Sequence, residues 1–375
     1  MSNVPDSALS RRDVLCAGGA AMFSYLVAGL LGGAKPARAQ ALSPPVPEVD
    51  CLAVRVVNDS YQLAIAPNMK IGAVEVQRFG VPPAGKSLLG EFGLSMHLES
   101  RRGDQIRNML LDFGFTPGTL NNNLGMLGIA PENIDALILS HGRYDHFGGL
   151  VGFLQQNRGR LRADLPLYLG GEECFCTREL LIGGKTEDFG YLDRKALAEA
   201  KVKVVFAEAP TVVAGHAFTT GQIPVTSFEK VVYPTRMTVG VQDGIGCFPD
   251  NLSEKKRTAH VIPDDFEHEL ATCFNVKGRG LVVLTSCSHR GVVNTVKRAM
   301  EISGINKVHA VAGGFHLAPQ KEDYVHETVA ALKEINPDYV IPIHCTGEIF
   351  IDALRKEIPN MFIRSYTGSR YIFGA

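Results

Sequence analysis

The stretch Leu137-Ile138-Leu139-Ser140-His141-Gly142-Arg143-Tyr144-Asp145-His146-Phe147-Gly148-Gly149-Leu150 decides how this chain is read. Its apolar start has the composition of a buried strand, and it runs straight into a His-x-x-x-Asp-His loop. Two glycines then let the backbone turn tightly into a helix expected from Leu150 to Asn157. Side chains on a loop at the end of a rigid strand are oriented before any ligand arrives, which is what a metal site requires.

Three more histidines repeat the arrangement further along: His289 after the apolar run 280–286, His316 after 308–314, and His344 after 339–343. One histidine at a strand end is commonly a turn or packing residue. Four strand-end loops carrying His or Asp would instead converge on one edge of a sheet, where α/β folds place their sites. These loops take five of the 11 histidines, and each is accompanied by a glycine (Gly142, Gly148, Gly291, Gly314, Gly347). His97, His216, His260, His268, His309 and His326 show no such pattern and read as surface or packing residues, as do Tyr144 and Phe147.

Outward from this core, short β-branched and apolar runs predict strands at 52–57, 93–98, 106–113 and 136–139. Strand and helix alternate from 280 to 343, with Asn336-Pro337 closing a helix over 324–335, so the C-terminal third is α/β. Signals weaken between 158 and 269, which reads as an insertion carrying loops over the site. Residues 40–50 read as an Ala- and Pro-rich linker, so that a single domain spans 51–375.

The first 39 residues have a different character. Arg11 and Arg12 precede an uncharged stretch from Val14 to Ala34, and Ala37-Arg38-Ala39 offers small residues for cleavage, so 1–39 reads as a twin-arginine-like export signal. The expectation is a periplasmic or secreted protein that meets the twin-arginine export machinery and has no stable membrane association after cleavage. Removing Cys16 from the eight cysteines leaves an odd number, so at least one thiol stays free; Cys174 and Cys176 read as incidental buried thiols. Lys+Arg 38 against Asp+Glu 39 gives a net charge of −1, which argues against a nucleic-acid partner and leaves a small molecule as the expected one. With 45% hydrophobic and 21% charged residues the chain can bury a large core.

The strand followed by His141-x-x-x-Asp145-His146, with His289, His316 and His344 downstream, resembles the metallo-β-lactamase superfamily. Ser286-Cys287-Ser288-His289-Arg290-Gly291, Gly313-Gly314-Phe315-His316-Leu317 and His344-Cys345-Thr346-Gly347 resemble its dihydropterin-ribofuranosylaminobenzene phosphate synthase-like branch. Glu91-Phe92-Gly93-Leu94-Ser95 and Leu111-Asp112-Phe113-Gly114 fit that branch's early strands. The resemblance implies a four-layered αββα sandwich with its metal site at one edge of the sheets. It also implies His141, Asp145, His146, His289, His316 and His344 as metal ligands.

One position departs from the pattern. Where such families have His-x-His-x-Asp-His, this chain has Arg143, whose guanidinium stays protonated and repels a nearby cation. The expectation is one tightly held zinc at Asp145, His146 and His344, with or without His316, and a second ion held weakly by His141 and His289 or only with substrate. Asp145 and Arg143 are the expected catalytic residues: Asp145 orients a zinc-bound hydroxide, and Arg143 receives an anionic group or the developing oxyanion. The activity expected is hydrolysis of a small anionic ester, lactone, lactam or phosphoester. A β-lactamase of the His-x-Arg-x-Asp-His type, a pterin-type synthase, and a metal- or ligand-binding protein without turnover are the alternatives.

Overall fold

The computed structural model describes residue 42 and residues 45–63, 65–231 and 235–374, with a two-residue strand at Ala37–Arg38. Arg11, Arg12 and the run Val14 to Ala34 of the expected export signal lie outside the described residues. Among the described residues no helix is long and apolar enough to cross a membrane.

Two mixed sheets form the centre. One runs in the order Lys203–Phe206, Pro166–Leu169, Ile134–Leu139, Gln105–Leu111, Ser95–Arg102, Cys51–Asn58, Arg370–Phe373, Val74–Gln77 and Met69–Ile71. The other runs Thr211–Val213, Ala217–Thr219, Thr272–Val276, Gly280–Thr285, Val308–Gly314 and Tyr339–Ile343. The period of two along each strand separates the layers. Ala136 and Ile138 point into the interior between the sheets with Val282, Leu284, Ala310, Ala312 and Ile341. Leu137 and Leu139 point the other way, onto Leu150, Phe153 and Leu154 of the helix Leu150–Asn157. Leu281 and Val283 likewise face away from the interior, toward the helices Val292–Ser303, Glu322–Ile335 and Glu348–Glu357. Each sheet is therefore covered on its outer face by helices, and the result is the four-layered αββα sandwich.

The helix Leu150–Asn157 has the expected bounds, and the helix Glu322–Ile335 ends at Asn336 in the left-handed conformation (φ 56°), its N–H donating to the Leu332 carbonyl. The linker reading needs correction. Glu48–Val49 already pairs in parallel with Thr272–Val276, and Val46 and Val49 are buried, so the chain joins the sandwich before Cys51. The stretch 158–269 is also not all insertion, because Pro166–Leu169, Lys203–Phe206, Thr211–Val213 and Ala217–Thr219 belong to the two main sheets.

What lies outside the sandwich is a four-stranded sheet of Lys185–Asp188, Thr177–Ile182, Thr235–Thr238 and Val261–Pro263, beside the hairpin Gly240–Gln242 with Ile245–Cys247. A disulfide joins Cys176 to Cys247 and fastens this subdomain, which corrects the reading of Cys176 as an incidental thiol. Cys174 remains free and buried. The pairing was hidden because the partners are 71 positions apart and meet only when the hairpin folds back. The subdomain is also pinned by Arg178, which is buried and donates through Nε to Asp264 at 2.6 Å and through Nη1 to the Cys176 carbonyl.

Candidate metal centre

Four parallel strands, Gln105–Leu111, Ile134–Leu139, Gly280–Thr285 and Val308–Gly314, end at the same edge, joined by Tyr339–Ile343. The residues just beyond them make the site. The backbone there is strained: Asp112 (φ 57°), Ser288 (φ 58°), His316 (φ 47°) and His344 (φ 52°) all adopt left-handed conformations that non-glycine residues seldom take. Such conformations persist where the surrounding structure over-determines them, and they collect at functional sites. Gly142 is required by space, since a Cβ there would lie 2.7 Å from the Cys174 Cα.

Asp112 organises the first loop. Its carboxylate accepts from the Ser140 N–H at 2.7 Å, from the Ser140 hydroxyl at 2.7 Å and from His146 Nδ1 at 2.8 Å. The single Ser140 hydroxyl proton is used on Asp112, so the same oxygen accepts from His141 Nδ1 at 2.8 Å. Both histidines thus carry a proton on Nδ1, which directs Nε2 into the site, the arrangement by which a carboxylate orients a metal-ligating imidazole. Asp112 was visible in the sequence only as part of an early strand. The signal available was an acidic residue just past a strand, two positions before Gly114.

The donor atoms form three overlapping groups within which all atoms lie inside 4.8 Å: Asp145, His146 and His344; His141, His146 and Cys287; Cys287, His316 and Cys345. Asp145 Oδ2 is 3.6 Å from His146 Nε2 and 3.5 Å from His344 Nε2. His141 Nε2, His344 Nε2, both Asp145 oxygens and both His316 nitrogens are buried and lack hydrogen-bond geometry to any partner. Leaving so many polar atoms unsatisfied would cost about 1–3 kcal/mol each. A cation among them removes that cost, and the imidazole and carboxylate donor set suits a zinc-class ion. The residues present therefore fit a metal.

His289 is placed differently. Its Nε2 lies 3.1 Å from Arg143 Nη1, and its ring stacks on Phe266 with centroids 3.7 Å apart. The Glu269 carboxylate accepts from the backbone N–H of His289 and of Arg290 at 2.9 Å each. Arg143 is buried, sits 3.6 Å from Asp145 Oδ1 through Nε, and packs under the Phe189 ring. Phe189, Phe266 and Glu269 all come from the weakly patterned middle of the chain, which thus supplies one wall of the site. His268, read as a surface or packing residue, is buried, bonded to Glu173 and Arg178 and stacked on Phe266. On the opposite side Phe92 is half exposed and stacks on His344, making an aromatic lip.

Charge follows from these contacts. Burial pushes His141 well below its usual value, assisted by the neighbouring His146 and Arg143; burial does the same to His289, assisted by His316 and His141. Both are neutral imidazoles. Burial would also lower His146, but the carboxylates of Asp145 and Asp112 outweigh it and raise the group to about 10. Burial opposes ionisation of Asp145, yet Arg143 and His146 hold it well below the ordinary carboxylate range. Without a metal a proton therefore occupies His146, and metal binding must release it.

Comparison with known proteins agrees with this geometry. The profile of the metallo-β-lactamase superfamily matches residues 104–164, the segment containing Asp112, His141, Asp145 and His146. The chain is 29% identical over 286 residues to 7,8-dihydropterin-6-methyl-4-(beta-D-ribofuranosyl)-aminobenzene-5'-phosphate synthase of Methanocaldococcus jannaschii, covering 74% of this chain and 88% of that protein. It is 26% identical over 291 residues to an uncharacterised protein of the same organism, covering 76% and 94%. Among solved structures, a metal-dependent hydrolase of the β-lactamase superfamily superposes with a TM-score of 0.60 at 22% identity, covering 85% of this chain and 98% of that one.

Proposed function

We propose, from the match of residues 104–164 to the metallo-β-lactamase superfamily profile and from the geometry of the site, that the chain is an exported metal-dependent hydrolase of a small anionic substrate. The observation that carries this reading is the buried set Asp145, His146 and His344, whose ligand atoms face one another, the Asp145 oxygens and His344 Nε2 without hydrogen-bond partners, directly beside the Arg143 guanidinium. When bound there, a zinc-class ion supplies Lewis acidity and lowers the pKa of a water to about 7.

The chain's own residues do the rest. Asp112 fixes the His146 tautomer, and Asp145, kept ionised by Arg143 and His146, offers one oxygen toward His146 and His344 and the other toward Arg143. Arg143 has five N–H donors, of which Nη1 meets His289 and Nε is buried without a hydrogen bond. It is thus equipped to receive a carboxylate, a phosphate or the oxyanion that forms as an acyl or phosphoryl centre is attacked. Phe189 and Phe266 exclude water from the Arg143 and His289 side, which strengthens that electrostatic contribution. The His141 and His289 position, with Arg143 already on His289, holds an ion weakly or only with substrate.

A second reading is group transfer, favoured by the 29% identity to the archaeal synthase. The reading of 1–39 as an export signal weighs against a cytoplasmic pterin precursor as substrate. Turnover of esters, lactones, lactams and phosphodiesters by the purified protein, with and without zinc, separates the two. Zinc-dependent hydrolysis of one class supports the hydrolase. Silence on the whole panel with metal bound, together with transfer onto a ribofuranosylaminobenzene phosphate acceptor, supports the synthase.

A further inference from the structure

Cys287 and Cys345 were not among the residues singled out by the strand-end pattern, yet they meet at the centre of the site. Their sulfurs are 3.4 Å apart, and Cys287 Sγ is also 3.2 Å from His146 Nε2. His316 completes a group in which one nitrogen and both sulfurs lie within 4.8 Å of one another. The two ring nitrogens of His316 are buried and without hydrogen-bond geometry to any partner, although the ring as a whole is partly exposed. All three residues are fixed by the backbone. His316 has φ 47°, Cys345 follows His344 at φ 52°, and a Cβ on Gly314 would lie 2.9 Å from Cys345 Sγ, so a glycine makes the room the thiol occupies.

We propose that Cys287, His316 and Cys345 form a second, thiolate-rich metal position for a soft or borderline divalent cation such as zinc, adjoining Asp145, His146 and His344. Two zinc–sulfur bonds of about 2.3 Å at a tetrahedral angle place the sulfurs a little under 4 Å apart, so the observed 3.4 Å needs only a small outward movement. Two sulfurs and an imidazole nitrogen select zinc-class ions over magnesium or calcium, which take oxygen. Binding displaces the two thiol protons to solvent, and no electron is transferred. The other described free cysteines lack this setting: Cys51, Cys174 and Cys273 belong to no such group. The proposal explains how a chain that has Arg143 in place of a ligand can still build a two-ion centre, by drawing the second ion's ligands from Cys287, His316 and Cys345. It rests on the metal-centre reading only in that the two ligand sets adjoin, and it does not require hydrolysis.

The test uses the full-length protein, stripped of metal by a chelator under reduction mild enough to spare the buried Cys176–Cys247 bond, and titrated with cobalt. The expected result is sulfur-to-cobalt charge-transfer absorption in the near ultraviolet, lost in Cys345→Ser and retained in Asp145→Ala. Loss of cobalt d–d absorption from the Asp145 set in Asp145→Ala with the charge-transfer band intact separates this position from the hydrolytic one. In the wild-type protein zinc should also protect the partly exposed Cys345 from alkylation while leaving Cys51 unaffected, a readout that needs no variant to fold. Cobalt bound without charge-transfer absorption, or alkylation of Cys345 that zinc does not change, would overturn the proposal. So would recovery of Cys287 and Cys345 as a disulfide that zinc does not prevent.

Discussion

Arg143 Nη1 donates to His289 Nε2 at 3.1 Å, so the lone pair that would bind a metal at this histidine is held by a guanidinium. The imidazole can accept because burial and its neighbours His316 and His141 keep it neutral. Replacing the guanidinium by an imidazole reverses the relationship. Arg143→His should bind an additional zinc at His141 and His289, seen by metal analysis after dialysis. It should also raise KM for anionic substrates by at least about tenfold, which is about 1.4 kcal/mol. Unchanged metal content and unchanged kinetics would remove Arg143 from the account.

Asp112 acts on the metal only through His146 and Ser140, so its contribution is to position. Asp112→Asn tolerates the left-handed backbone but cannot accept all three hydrogen bonds as a carboxylate does. Zinc affinity, measured by competition with a chromophoric chelator, should fall by roughly 10–100-fold with the circular dichroism spectrum unchanged. Wild-type affinity in this variant would mean that the His146 tautomer is set by something else.

The bond between Cys176 and Cys247 closes a long loop and holds the subdomain that supplies Phe189. Cys247→Ser should cost about 2–5 kcal/mol in denaturant unfolding, whereas Cys51→Ser, at a half-buried unpaired position, should change stability little. Equal stability of the two variants would show that the Arg178 and Asp264 contacts hold the subdomain without the disulfide.

His97 lies in the strand Ser95–Arg102, away from the metal centre, and burial, with Arg55 and Arg370 adding to it, lowers its pKa to about 4. An unfolded histidine titrates near 6.5. Between those values the unfolded chain takes up a proton that the folded chain refuses, so the stability His97 contributes is intact above pH 6.5 and is lost as the pH falls toward 4. The loss amounts to roughly 3 kcal/mol across the window. In metal-free protein, His97→Met should show a shallower decline in unfolding free energy from pH 6.5 to 4 than the wild type; parallel curves would refute the assignment.

Much of the architecture was legible because strand residues such as Leu137 and Ile138 are apolar on both faces, as strands covered by helices on one side and a second sheet on the other must be. The histidines were legible for a related reason: a ligand at a strand end is both chemically distinctive and locally placed. Phe266 carries no local mark, and the roles of Asp112, Cys287 and Cys345 are not set by their neighbours in sequence. Asp112 matters because it lies 2.8 Å from His146 across 34 positions, and Cys287 because it meets Cys345 across 58. Glu48 and Val49 were misplaced for the same reason, since a two-residue edge strand is defined by its partner at Asn275 and Val276 and not by its own composition.

The most direct test of the central claim is turnover by the purified full-length protein on esters, lactones, lactams and phosphodiesters, measured after chelation, after zinc is restored, and in Asp145→Asn. The account predicts hydrolysis of at least one anionic class that chelation abolishes and zinc restores, and that Asp145→Asn lowers by at least about 100-fold. Hydrolysis indifferent to chelation and to Asp145→Asn, or no hydrolysis at all with zinc bound, would contradict it.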